Sequence, residues 1–365
     1  MTDNKNKVAI IMAGGLGARL WPKSTEKNPK QFVYLLDEGT MIQNTVDRLL
    51  GFFDPEDIYI VCTSLHHTLL TEQVSKLAHE NIIIEPFGRN TASCIALTAV
   101  LLGKKYSPNT VIFSFPSDHV IYNKGEFYQS LETAFNTAYQ ADRIVTIGIQ
   151  PSRPETGYGY IQIKNDEIPD SELHSQGVRA TTTFAEKPDI ATAQRFIESG
   201  DFLWNSGICI WSFSTFWSAL DKYMKEISIY FRQLESSIGK ESFNKEIEII
   251  YRQIPDISID FGILEKADNV FVVQSSFRWS DVGNWDEVYR LSMKDARNNV
   301  IIGDVISVNN NNCFVSASER IIGIVGVKDL IVIDSEDSLL VCKRGHSEEV
   351  KSITDYMRRK HINKF

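Results

Sequence analysis

Residues Met12 to Pro22 read Met-Ala-Gly-Gly-Leu-Gly-Ala-Arg-Leu-Trp-Pro, and Pro29-Lys30-Gln31-Phe32 closes the stretch. Gly14, Gly15 and Gly17 directly follow the apolar, β-branched run Val8 to Met12. Glycine reaches dihedrals closed to other residues, so backbone N–H groups can lie against a bulky anion. Arg19, Lys23, Lys27 and Lys30 crowd positive charge into one loop of a chain whose net charge is −9. Phosphates are the anions that want both features. A nucleotide site is the reading that these residue types support, against a strand-to-helix turn that merely uses glycine.

Two familiar glycine loops do not fit. A dinucleotide fingerprint started at Gly15 and Gly17 would have its third glycine at Leu20, and no acidic residue closes a clear second strand about twenty residues on. A Walker pattern from Gly17 to Lys23-Ser24 would have its second glycine at Pro22, which has no N–H to offer a phosphate.

Other positions carry chemistry beside a plainer alternative. In Glu85-Pro86-Phe87-Gly88-Arg89-Asn90-Thr91-Ala92, Asn90 or Thr91 is a helix N-cap candidate. The same string could serve a purine, with Glu85 or backbone carbonyls accepting and Asn90 doing both. Phe115-Pro116-Ser117-Asp118-His119 ends an apolar run in an aspartate. Burying an unpaired carboxylate there is costly, and a metal ion resolves that cost. Asp118 is otherwise a surface strand-end residue. Phe184-Ala185-Glu186-Lys187-Pro188 puts a carboxylate beside an ammonium, either for a ligand or as a surface pair worth little.

The glycine loop resembles the signature G-G-x-G-x-R-L-W-P followed by P-K-Q-F of the sugar-nucleotide pyrophosphorylases, and within them of the mannose-1-phosphate guanylyltransferases. Ala18 replaces the usual threonine, and Ser24-Thr25 a common Ser-Arg pair. Six further segments resemble family motifs in order. They are Glu85 to Ala92, Pro116 to His119, Thr156-Gly157-Tyr158-Gly159-Tyr160, Glu186-Lys187-Pro188, Asn205-Ser206-Gly207 and Ser280-Asp281-Val282-Gly283-Asn284-Trp285.

The resemblance implies a reaction in which GTP and α-mannose 1-phosphate give GDP-mannose and pyrophosphate. By the same token, Ala13, Gly14, Gly15, Gly17, Arg19, Glu85, Arg89, Asn90 and Thr91 bind the nucleotide. Arg19 and Lys30 supply catalytic charge. Gly157, Tyr158, Gly159, Glu186, Lys187 and Asn205 hold the sugar phosphate, and Asp118 with Asp281 hold Mg²⁺. Other hexose or heptose 1-phosphates remain open as substrates. So does a catalytically silent regulatory relative, although such a chain would be expected to lose Lys30 or a metal aspartate.

Positioning these residues requires strands that end where the motifs begin. Short apolar runs at 58–61, 82–84, 111–115 and 144–148 alternate with helical periodicity at 41–50, 91–102 and 127–139. That alternation predicts a largely parallel sheet covered on both faces, with ligands at the carboxyl ends of its strands. A long helix is expected over 216–234 and an amphipathic one over 348–359. Lys30 is expected on an exposed loop. From Val300 to Cys342 short β-rich pieces are punctuated by Asn309-Asn310-Asn311-Asn312 and Lys328-Asp329. The expected fold is therefore α/β. Taken with the resemblance, this implies a Rossmann-like nucleotidyltransferase domain with a mostly parallel mixed sheet over 1–295 and a small β-rich, β-helix-like domain over 296–365 that is expected to mediate a homodimer.

Composition sets the remaining expectations. Among 365 residues, 43% are apolar, which supports a substantial core. No run approaches the roughly twenty apolar residues of a membrane span, and the start Met1 to Lys7 leads into the first strand without a signal-peptide pattern. The five widely spaced cysteines read as free thiols in a reducing cytoplasm. The acidic balance argues against nucleic acid as a partner. The length leaves no room for the isomerase domain of longer bifunctional relatives.

Overall fold

The computed structural model describes residues 6–36, 38–164, 168 and 170–362, so the start at Met1 to Lys5 lies outside the described residues. The chain divides into two compact units. One comprises Met1–Gly14, Val46–Ser117 and Ile121–Trp279, the other Gly15–Thr45, Asp118–Val120 and Ser280–Phe365.

The strands of the first unit are β1 (Lys7–Met12), β2 (Ile58–Thr63), β3 (Ile82–Glu85), β4 (Val111–Pro116), the short β5 (Val120–Ile121, at the unit boundary), β6 (Ile144–Ile149), β7 (Gly159–Ile163), β8 (Val178–Glu186), β9 (Phe202–Ser212) and β10 (Val270–Ser275). All but β5 join one nine-stranded sheet in the order β3-β2-β1-β4-β9-β6-β10-β8-β7. The pairings make β1, β2, β3, β4, β6, β7 and β10 run one way and β8 and β9 the other. The sheet is thus mixed and mostly parallel, as the apolar runs imply.

Both faces of the central strands are covered. Val8, Ile10, Val61 and Ile112 pack with Ala92, Ile95, Ala96, Ala99 and Val100 of the helix Asn90–Leu102 in one core cluster. From Lys124–Tyr139, Phe127 meets Phe115 of β4 with ring centroids 6.5 Å apart. On β6, a Cβ at Gly148 would lie 2.6 Å from Leu203 Cδ1, so only glycine lets β9 approach. The register between β6 and β9 shifts there, which sets Thr146 and Asn205 side by side.

The expected helix over 216–234 is two helices, Phe213–Tyr223 and Lys225–Leu234, broken at Met224 (φ −136°, ψ 49°). The break folds the second helix back, so Asp221 accepts from Ser228 and pairs with Arg232 Nη2 at 2.6 Å. In a continuous helix, eleven residues would span about 16 Å along the axis.

In the second unit the strands are β11 (Trp279–Ser280, at the boundary), β12 (Val300–Ile302), β13 (Val305–Val308), β14 (Phe314–Ser316), β15 (Ile322–Val325), β16 (Leu330–Asp334) and β17 (Leu339–Lys343). β12, β14 and β16 pair in parallel, β17 closes antiparallel, and β13 pairs in parallel with β15. Short parallel strands stacked turn upon turn are the β-helix-like architecture expected. The asparagine run forms its corners. Asn309, Asn312 and Asp329 have φ near +55°, and Asn310 is buried, donating to Ile324 O and accepting from Val327 N. The final helix, Val350–Arg359, follows a 3-10 turn at Ser347–Glu349.

Candidate active site

In the second unit the signature loop is irregular, with 3-10 turns at Ala18–Leu20 and Lys30–Phe32. Gly17 has φ +68°, and a Cβ there would lie 2.4 Å from Lys30 Cβ. The glycine is required twice, by its dihedral and by the lysine lying across it. Gly15 faces open space.

Lys30 is not on an exposed loop. It is buried, and its Nζ donates to Asp118 Oδ2 at 2.7 Å and to the backbone carbonyl of Asp281. One ammonium thus gathers three motifs that lie 88 and 251 residues apart in sequence. Burial pushes the Asp118 carboxyl up, but the charges of Lys30 and His119 and the Lys30 hydrogen bond outweigh it and hold the group below its ordinary range. His119 Nε2 lies 3.9 Å from Asp118 Oδ1.

The Asp281 motif is rigidly built. Ser280 Oγ donates to Glu287 Oε1 at 2.6 Å and accepts from Val282 N at 3.0 Å. Val282 is buried with φ +50°, a region costly for a β-branched residue and held only where surroundings enforce it. Trp285 Nε1 donates to Trp21 O at 2.9 Å, which ties this motif to the signature loop. A Cβ on Gly283 would lie 3.3 Å from Asp281 Oδ2, so the carboxylate rests over the glycine. Arg19 Nε stands 2.5 Å from Glu348 Oε2.

The donor set suits a hard divalent cation. Mg²⁺ typically takes only one or two protein carboxylates and completes its shell with phosphates and water. Asp118 and Asp281 are two such carboxylates, and the Lys30 ammonium lies on Asp118 Oδ2.

Two further groupings lie in the first unit. Glu85 ends β3 fully buried, 3.5 Å from where a Cβ of Gly14 would sit, and accepts from Tyr251 Oη at 3.3 Å. Burial lifts its carboxyl to about 7, although the Tyr251 hydrogen bond opposes the rise. Asn90 is not the expected N-cap. It has φ +64°, and its Oδ1 accepts from the N–H of the next residue, Thr91. The Thr91 hydroxyl accepts instead from Ile259 N at 2.9 Å, and Arg89 Nε donates to Tyr251 O at 2.8 Å. Ala13 N donates to Val61 O at 2.8 Å.

The second grouping surrounds Asn205. A Cβ on Gly159 would sit 2.5 Å from Glu186 Oε2 and 3.5 Å from Asn205 Cβ, so these motifs converge. Lys187, at φ +50°, donates its N–H to Tyr158 O and pairs through Nζ with Glu186. Tyr158 packs edge-on against Trp204, with ring centroids 5.2 Å apart. Gly157 lies 3.8 Å from Glu155 Oε1 by the same Cβ measure.

Asp260 completes the group and was not anticipated from sequence. Its Oδ1 accepts from Asn205 Nδ2 at 2.8 Å, while Asn205 Oδ1 accepts from Thr146 Oγ1 and Gly207 N. Burial and the neighbouring charge of Glu186 raise the Asp260 carboxyl. A lone carboxylate among Ile257, Ile259, Phe261 and Ile263, two residues before Gly262, was the available signal.

A family model described as nucleotidyl transferase matches residues 8–298, and a second, described as the MannoseP isomerase/GMP-like beta-helix domain, matches 303–356. The chain belongs to the nucleotidyl transferase family. Its similarity runs to particular members, the mannose-1-phosphate guanylyltransferases. One from Escherichia coli is 34% identical over 96% of this chain and 75% of its own length. Another from Salmonella montevideo is 36% identical over 95% of this chain and 73% of its own. A crystal structure named as a mannose-1-phosphate geranyltransferase from Thermus thermophilus superposes with a TM-score of 0.86 at 28% identity. It covers 97% of this chain and 99% of that one.

Proposed function

We propose that the protein transfers the guanylyl group of GTP to α-mannose 1-phosphate, giving GDP-mannose and pyrophosphate. The observation that carries this reading is the Lys30 ammonium, held between the Asp118 carboxylate and the Asp281 carbonyl beside the glycine loop. An oxygen of the sugar phosphate attacks the α-phosphorus in line, and the bond to the β-phosphate oxygen breaks as pyrophosphate departs with its electron pair. The side chains near the phosphates supply positioning and charge, so the scheme has no covalent protein intermediate.

Arg19 holds the leaving pyrophosphate, and Lys30 meets charge developing near the α-phosphate. Lys187 holds the incoming phosphate, with Glu186, Asn205 and the backbone at 157–159 on the sugar. Glu85, Arg89, Asn90 and Thr91 serve the base. Asp118 and Asp281 would hold Mg²⁺, which when bound neutralises phosphate oxygens.

The domain border near residue 295, a cytoplasmic location and a homodimer belong to the same proposal. Five free cysteines, four of them buried, support a reducing compartment. Exposed Ile306, Val308 and Val325 on paired strands β13 and β15 support association through the β-helix-like part.

The test is pyrophosphate release with GTP, UTP, dTTP and ATP, each against mannose, glucose and heptose 1-phosphates. GTP with mannose 1-phosphate should give the highest kcat/KM. A different preferred pair would replace the substrate assignment, and no turnover with any pair would favour the silent relative.

A further inference from the structure

The 3-10 turn before the last helix delivers a carboxylate to the signature loop. Asp286 anchors that turn, accepting from Gly345 N at 2.8 Å and from both the N–H and the hydroxyl of Ser347. The Ser347 hydroxyl in turn accepts from Asp286 N at 3.0 Å, and Ser347 is buried. The next residue is Glu348. Its Oε2 stands 2.5 Å from Arg19 Nε, and its Oε1 accepts from Asn284 Nδ2 at 2.6 Å. One side chain therefore bridges the signature-loop arginine and the motif that carries Asp281.

The energetics of this bridge point away from a structural strut. The Arg19 and Glu348 side chains are 39% and 56% exposed. Ion pairs at that exposure contribute little to stability. Phosphate offers arginine a bidentate, more highly charged partner than a single carboxylate oxygen. Once a polyphosphate engages Arg19, a carboxylate left beside it is repulsive.

We propose that Glu348 is a positioning residue that latches Arg19 while no phosphate is bound and yields it to the pyrophosphoryl group. The latch competes with the polyphosphate for one guanidinium. It holds the arginine ready in the free enzyme, and by re-forming it assists pyrophosphate release. This inference rests on the assignment of Arg19 to the pyrophosphate.

The experiment is calorimetric titration of the full-length protein with inorganic pyrophosphate in the presence of Mg²⁺, together with steady-state kinetics in GTP. Glu348→Gln keeps the side-chain shape and removes the charge. It should tighten the pyrophosphate Kd and lower the KM for GTP, each by about two- to five-fold, the equilibrium worth of an exposed pair. Its forward kcat should not rise, because release slows. Glu348→Asp should fall between the two.

Unchanged or weaker pyrophosphate binding in Glu348→Gln would overturn the latch. Arg19→Ala separates failure of the latch from failure of the Arg19 assignment. If it leaves pyrophosphate affinity and turnover at wild-type values, the assignment of Arg19 itself fails. If it weakens both while Glu348→Gln tightens nothing, only the latch fails.

Discussion

Lys30→Met removes an ammonium that the fold uses and to which the proposed function gives a chemical role, and the two losses can be measured separately. Structurally, the variant leaves the Asp118 carboxylate beside a neutral side chain. Breaking a fully buried ion pair costs about 3–5 kcal/mol. The Asp118 side chain is 26% exposed against 6% for Lys30, so solvent screens part of that cost. About 2 kcal/mol is the appropriate discounted figure. Thermal unfolding should therefore shift down by several degrees, where an exposed loop lysine would shift nothing. Chemically, loss of a charge aimed at the transition state is worth about 3–4 kcal/mol, a kcat lower by about 10²–10³-fold. The Lys30→Met/Asp118→Asn pair should recover part of the stability loss and none of the turnover. Near-normal turnover in Lys30→Met, or an unchanged melting temperature, would refute the reasoning.

Asp118→Asn and Asp281→Asn should each depress kcat strongly, and the double variant should be hardly worse than either if both serve one ion as proposed; multiplying losses would mean that they act separately. Glu85 gives a pH signature in stability. Its folded-state pKa, raised from 4.5 to about 7, means that the native state holds a proton the unfolded chain has lost. The stabilisation is complete below the unfolded value and disappears as pH rises through about 7, up to roughly 3 kcal/mol. Urea unfolding of Glu85→Gln should lose that slope between pH 5 and 8, and an unaltered slope would point to another group. Ile306→Asp with Val325→Asp should convert a dimer to a monomer by light scattering, and a monomeric wild-type protein would end that proposal.

The central strands were legible because a sheet covered on both faces demands continuous apolar runs, and Val111 to Phe115 or Ile144 to Gly148 carry little else. The break at Met224 was not, because neither glycine nor proline marks it. It is imposed by tertiary partners, the Asp221–Arg232 pair and Gly262, where a Cβ would lie 2.4 Å from Met224 Sδ. The residue types of the candidate site were readable from motif spacing, but its connectivity was not. The burial of Lys30 depends on Asp118 and Asp281, far along the chain. Asn90 reads as a cap, yet its left-handed backbone turns its amide oxygen to Thr91. Glu348 has no signal at all, since an acidic residue opening a helix is ordinary helix chemistry.

A single-turnover reaction with excess enzyme, GTP labelled at the α-phosphate and mannose 1-phosphate tests guanylyl transfer most directly. The label should move wholly into GDP-mannose at the rate at which pyrophosphate appears, with none on denatured protein. Label retained on the protein, or recovered as GMP while mannose 1-phosphate stays unconsumed, would contradict it.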